Sequence, residues 1–178
     1  ITRPGADSRK PETESIIRAL SPHRALVQVT APATVDGGDV LVLGHDIYVG
    51  ISTRSNDAAI EQLQTLLDGY GYKVIGAEMT DCLHLKTAVT RVDDKTLLIN
   101  KNWVSTNYFT GYDLIEVDPT EPFAANCLPV NGQIIYPTSF PKTRAKLEAR
   151  GYKIQAVAVD ELAKAEGAVT CCSLIISQ

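Results

Sequence analysis

A loose internal period limits most sharply how this chain can fold. Asp36, His84, Asn126 and Cys171 fall 48, 42 and 45 positions apart. A period in the forties marks a repeat architecture, in which one supersecondary unit cannot bury its own apolar face and must close on its neighbours. The echo of GYGYKVIGAEM (69–79) in RGYKIQAVAVDEL (150–162) supports the same reading. Equivalent positions of successive units then converge, so Asp36, His84 and Cys171 are expected to share one site.

Each round predicts the order helix, strand, loop, strand, strand. The first has a helix over 9–20, with Pro11 in its first turn and Ile16, Ile17 and Leu20 on one face. A strand over 25–29, the loop Asp36-Gly37-Gly38-Asp39, and strands over 40–44 and 46–52 follow. In the second, Ser55, Asn56 or Asp57 caps a helix striped by Ile60, Leu63, Leu66 and Leu67 and stopped at Gly69. A strand over 72–75, a loop through Asp81 to His84, and strands over 85–90 and 96–100 complete it. The third round is degenerate, because residues 101–111 carry no helical stripe. It keeps a strand at 114–117 and a hairpin over 128–138 turning at Asn131-Gly132. The fourth restores a helix over 142–150 and a strand over 152–159, then reaches Cys171-Cys172 and a strand-like run at 174–176.

A net charge of −4 and a pI near 5.4 argue against a nucleic-acid partner, which calls for a basic face. No run of 18 apolar residues is present, so no membrane span is expected. Four cysteines (82, 127, 171 and 172) in 178 residues suit neither a disulfide framework nor CxxC metal spacing. A reducing, cytoplasmic home follows as the expectation. The N-terminus, ITRPGADSRK, has no initiator Met and no signal-like apolar stretch, and reads as a chain entered partway.

Singly, the three converging residues have bland explanations. Asp36 in a Gly-Gly loop suits a turn, His84 between two leucines suits a hydrogen-bonded core histidine, and adjacent cysteines suit buried thiols. Jointly, a thiol, an imidazole and a carboxylate at equivalent loops form a nucleophile, an acid/base and an orienter. Strand alternation would let only one of Cys171 and Cys172 face such a site. His23 and His45 lie at a helix end and in a hairpin turn, where surface roles suffice.

DGGDV (36–40), HLKT (84–87), AANC (124–127) and TCCS (170–173), in this order and spacing, resemble the dimethylarginine dimethylaminohydrolase family of the pentein, or guanidino-group-modifying, superfamily. ITRPGADSR (1–9) and STRSN (52–56) are similar to two further family segments. The resemblance implies an α/β fold, a five-unit β/α propeller of about 45-residue repeats, with about four units in this chain. It makes residues 1–178 a single catalytic domain whose first unit is missing apart from a last strand at Ile1 to Arg3. The open edges of such a ring point to self-association, a homodimer being the simplest case.

The implied reaction is hydrolysis of N-methylated arginine to citrulline and an alkylamine. By resemblance Cys171 is the nucleophile and His84 the acid and base. Asp36 either orients His84 or faces the guanidinium. Arg9 and Arg54 match positions that hold the substrate carboxylate, and Ala165 one whose backbone carbonyl receives the substrate amine. No cofactor and no metal are implied, although zinc can inhibit by binding the thiolate and imidazole. Lys86 stands where arginine deiminases carry an acidic residue, which favours the dimethylarginine branch. A non-catalytic guanidino-compound binder and a related amidinotransferase or deiminase remain the competing readings.

Overall fold

Among the described residues the periodic pattern resolves into one motif used three times, an antiparallel hairpin followed by a crossover to a parallel third strand. The structure, a computed structural model, describes residues 1–175. They divide into two compact units, residues 1–79 with 83–85, and residues 80–82 with 86 onward.

In the first unit, helix α1 (Glu12–Leu20) follows a 3-10 turn at Asp7–Arg9. The chain start pairs in the parallel sense with the extended segment after α1: the Ile1 amino group donates to Val27 O, and Val29 N–H donates to Ile1 O at 2.9 Å. Residues 25–29, expected as a strand, do not form a regular one. This short pairing is their whole backbone ladder in the described residues.

Strands β1 (Val40–Leu43) and β2 (Asp46–Ile51) form a hairpin closed by Gly44-His45, with Gly44 at φ +61° where L side chains are disfavoured. Helix α2 (Asp57–Leu67) then crosses to β3 (Lys73–Glu78), parallel to β2. The Asn56 side chain caps α2 by accepting Ala59 N–H at 3.2 Å. The helix runs on as a 3-10 turn past Gly69 and stops at Gly71, whose φ of +73° supplies the left-handed residue. Ala59 packs with Ile47, Val49 and Val74 into a core that also takes in Val29, Ala33 and Val35, with Ile60, Leu63 and Leu67 against it.

The second unit repeats the motif twice. A helical turn α3 (Leu85–Ala88) leads into β4 (Val89–Arg91), so the expected strand over 85–90 begins only at its end. β4 pairs antiparallel with β5 (Thr96–Ile99), and β6 (Asp113–Glu116) lies parallel to β5. Their crossover holds only a 3-10 turn at Thr106–Phe109, in keeping with the missing stripe. β7 (Leu128–Val130) and β8 (Gln133–Pro137) turn at Asn131 and Gly132, whose φ values of +49° and +74° match the turn that Asn-Gly favours. Helix α4 (Pro141–Ala149) crosses to β9 (Ile154–Val157), and a short α5 (Asp160–Ala163) follows.

α4 has little apolar face, burying Thr143 and Leu147. Buried Glu121 compensates by accepting the Lys142 and Thr143 N–H groups at 2.9 and 2.8 Å, where the helix dipole favours a negative charge. Leu98, Ile115, Ala124, Ala125, Cys127, Ile134, Tyr136 and Leu147 form the core of this unit. No helix among the described residues is long and apolar enough to cross a membrane.

Candidate active site

Asp36 lies just before a 3-10 turn at Gly37–Asp39 that feeds β1, and only 4 % of it is exposed. Its backbone N–H donates to Ser55 Oγ at 3.1 Å, and Gly5 N–H donates to its Oδ1 at 3.2 Å. Its Oδ2 lies 3.2 Å from His84 Nε2 and 3.6 Å from Arg9 Nη1. Burial pushes the Asp36 carboxyl up. The hydrogen bonds from His84 and Gly5 and the charges of His84 and Arg9 outweigh it and hold the group below the usual carboxylate range. An ionised carboxylate can only accept, so His84 Nε2 is the donor of this pair. His84 is itself buried. A Cβ at Gly38 would stand 2.7 Å from its Cγ, so this loop needs glycine where it meets the ring.

Arg9 and Arg54 are held differently. Arg9 shares its guanidinium between Asp36 and Glu12, whose Oε2 accepts from Nη2 at 3.1 Å. Arg54 is pinned by its backbone: its N–H donates to Ser52 Oγ at 2.9 Å, and a Cβ at Gly5 would stand 2.6 Å from its carbonyl oxygen. The structure thus gathers Asp36, His84 and Arg9, and ties the Arg54 backbone to them through Gly5 and Ser55.

Asp39, to which the sequence pattern assigns no role, has no exposed surface. It accepts Ser52 Oγ–H at 2.8 Å, Ser55 Oγ–H at 2.6 Å and Leu85 N–H at 2.9 Å. Burial pushes its carboxyl above the usual range, against the pull of these bonds and the charge of His84. The Leu85 bond satisfies an N–H at the start of the helical turn over 85–88, as a cap does.

In the second unit Cys171 and Cys172 lie in a turn, not at a strand mouth, and both are exposed. The reading of two buried thiols is overturned, and the alternation argument for choosing between them lapses. Leu174 and Ile175 are exposed and outside any strand, while Ile176 of the expected run lies outside the described residues. The buried thiol is Cys127, its pKa pushed up to about 12 by burial. Ala165 is exposed just after α5, where its N–H donates to Leu162 O at 3.0 Å.

Asn126 is the ordered neighbour of the cysteine turn. Only 3 % exposed, it accepts Thr170 N–H at 3.1 Å through Oδ1 and donates from Nδ2 to Thr170 Oγ1 and Lys86 O, both at 2.8 Å. The residue before Cys171 is thereby clamped on both its backbone and its side chain. The period placed Asn126 alongside Asp36 and His84; its role as a clamp was not legible there.

The family model described as arginine deiminase matches residues 23–129. The chain is 36 % identical over 177 residues to N(G),N(G)-dimethylarginine dimethylaminohydrolase of Pseudomonas aeruginosa, spanning 98 % of this chain and 69 % of that protein. It is 35 % identical over 175 residues to the protein of the same name from Streptomyces coelicolor, spanning 98 % and 67 %. A solved structure of a P. aeruginosa dimethylarginine dimethylaminohydrolase variant complexed with citrulline matches with a TM-score of 0.91 at 34 % identity, over 96 % of this chain and 68 % of that one. The mixed α/β fold expected from the motifs is the fold of that structure. By sequence and by fold, this chain belongs to the dimethylarginine dimethylaminohydrolase family of the pentein superfamily, hydrolases that act on carbon–nitrogen bonds.

Proposed function

We propose that the protein hydrolyses N-methylated arginine to citrulline and an alkylamine through a covalent cysteine intermediate. The buried His84–Asp36 pair, with Arg9 beside it, carries this reading. A carboxylate held ionised against one ring nitrogen fixes the tautomer, and an imidazole so fixed can give and take a proton at the other.

In the proposed sequence the Cys171 thiol gives its proton to His84, and the thiolate attacks the guanidinium carbon to form a C–S bond. The C–N bond to the methylated nitrogen breaks as His84 delivers a proton to the departing amine, leaving a thiouronium on Cys171. His84 then takes a proton from water as its oxygen adds to the same carbon. The C–S bond breaks, returning the thiolate and releasing citrulline. Arg54 and Arg9 receive the substrate carboxylate, a planar fork meeting two oxygens, and the Ala165 carbonyl receives the substrate amine. Cys171 is chosen over Cys172 by its place in the family motif. The three hairpin-and-crossover modules are proposed as units of a pentein-type β/α propeller, with the segments outside them counted toward a fourth.

Asymmetric dimethylarginine, monomethylarginine and arginine, each assayed for citrulline, test this. Release from the methylated substrates alone is expected. Saturable binding of dimethylarginine with no citrulline would leave a guanidino-compound binder instead.

A further inference from the structure

We propose that Asp39 is a positioning residue whose single carboxylate sets the backbone of Asp36, Arg54 and His84 at once. The inference rests on the reaction proposed above for those residues. Each donor at Asp39 has its direction fixed by a backbone N–H. Ser52 Oγ receives the N–H groups of Arg54 and Ser55 at 2.9 and 3.1 Å, so its own proton must go to Asp39 Oδ2, 2.8 Å away. Ser55 Oγ receives the N–H of Asp36 at 3.1 Å, so its proton goes to the same oxygen at 2.6 Å. Leu85 N–H, one peptide beyond His84, fills Oδ1 at 2.9 Å. Three branches leave one buried group, toward Arg54 through Ser52, toward Asp36 through Ser55, and toward His84 through Leu85.

All three incoming groups are donors, so the position demands acceptors on both oxygens. Asparagine keeps the size but turns an NH2 either toward the Leu85 N–H or toward serine oxygens that already accept backbone N–H groups, leaving buried groups without partners. There is also little room to adjust, since a Cβ at neighbouring Gly50 would stand 2.9 Å from Asp39 Oδ1 and from Leu85 Cβ. A displacement of a fraction of an ångström at Asp39 therefore passes to three residues of the candidate site.

The branches predict separable kinetic effects, which a merely structural role would not produce. Ser52→Ala disturbs the Arg54 branch and should raise KM for dimethylarginine about tenfold with kcat little changed. Ser55→Ala disturbs the Asp36 branch and should lower kcat about tenfold with KM little changed. Asp39→Asn should do both, lowering kcat/KM by about 100-fold or more. Equal losses in kcat and KM for the two serine variants, or wild-type constants per folded molecule in Asp39→Asn, would overturn the proposal. Should Asp39→Asn fail to fold, the serine pair decides it. If the wild-type protein forms no citrulline, the reaction is wrong, and NMR of 15N-histidine protein decides on Asp39 separately. Loss of the His84 ring N–H signal in Asp39→Asn or Ser55→Ala then supports the role, and an unchanged signal in both refutes it.

Discussion

His84 and Cys171, which share one proposed reaction, are held in opposite ways. His84 is buried, bonded to an ionised Asp36, packed on Gly38 and followed by a peptide N–H bound to Asp39. Cys171 is exposed in a turn, and its order comes from Thr170 on the Asn126 clamp. The difference follows from the two tasks. A proton-transfer group works only in one tautomer and orientation, which fixed partners must impose in a place where water does not compete. A thiol nucleophile needs no tautomer, only a position. Substitutions around His84 should therefore act through chemistry and those around Cys171 through placement.

The sharpest break is at the sulfur itself. Cys171→Ser should lower citrulline formation by at least about 10³-fold, because a hydroxyl stays protonated near neutral pH. An exposed side chain contributes little to packing, so the melting temperature should hardly move. Cys172→Ser should leave turnover within about twofold, and a thiol-directed inhibitor located by peptide mass spectrometry should label Cys171. Labelling of Cys172 alone would exchange their roles. His84→Ala comes next, at about 10²- to 10⁴-fold. Acid-quench mass spectrometry should show slower formation and slower loss of the covalent adduct, since one base serves both steps. Unchanged turnover would remove His84 from the reaction.

The Asn126 clamp should cost less and act differently. Asn126→Ala strands the Thr170 N–H and Oγ1 and the Lys86 carbonyl, at about 1–3 kcal/mol for a buried unpaired group. The expected signature is a lower melting temperature with a moderate fall in activity. A loss as deep as that of Cys171→Ser, with full stability, would give Asn126 a part in the chemistry.

Much of this was legible because it is local. Asn131-Gly132 needs only its own backbone preferences to make a turn, α2 only its stripe and Asn56, and the weak third crossover only the absence of a stripe. The pairing of Asp36 with His84 was legible through spacing and resemblance, while the part of Cys171 belongs to the proposed reaction. Asp39 was not legible, because its donors lie 13, 16 and 46 residues away, beyond any local window. The same long-range bond meets the first N–H of residues 85–88, which are helical and not the strand their composition suggests. The strand expected after Cys172 does not form at Leu174 and Ile175, which stay exposed and so have no apolar face to bury.

Acid should separate the two carboxylates of the first unit. Asp36, with its pKa lowered, contributes stability that is present above its unfolded value and is lost as pH falls through its folded value. Asp39, with its pKa raised, contributes in the opposite sense: stability is present below its unfolded value and lost as pH rises through its folded one. On acidification Asp39 therefore takes up its proton first. The Leu85 amide, bound to Asp39, should shift at higher pH than the Gly5 amide, bound to Asp36. The reverse order in an amide titration would overturn the assignment of the two groups.

The smallest effect concerns Arg9, whose guanidinium is divided between Asp36 and Glu12 while the proposed reaction asks it to receive a substrate carboxylate. Glu12 is then a competitor for the same fork. Both side chains of that pair are at least half exposed, and such pairs are worth about 0.2–1 kcal/mol at most. Glu12→Gln should accordingly lower KM by no more than about fivefold and leave kcat unchanged. Salt offers an independent check, since it weakens an exposed pair far more than a buried one. Raising the ionic strength should narrow the gap in KM between wild type and variant, because it loosens in the wild type the pair that the variant already lacks. A higher KM in Glu12→Gln would mean the opposite, that Glu12 holds Arg9 ready for substrate, and the exposed arginine would then be as deliberately placed as the buried histidine.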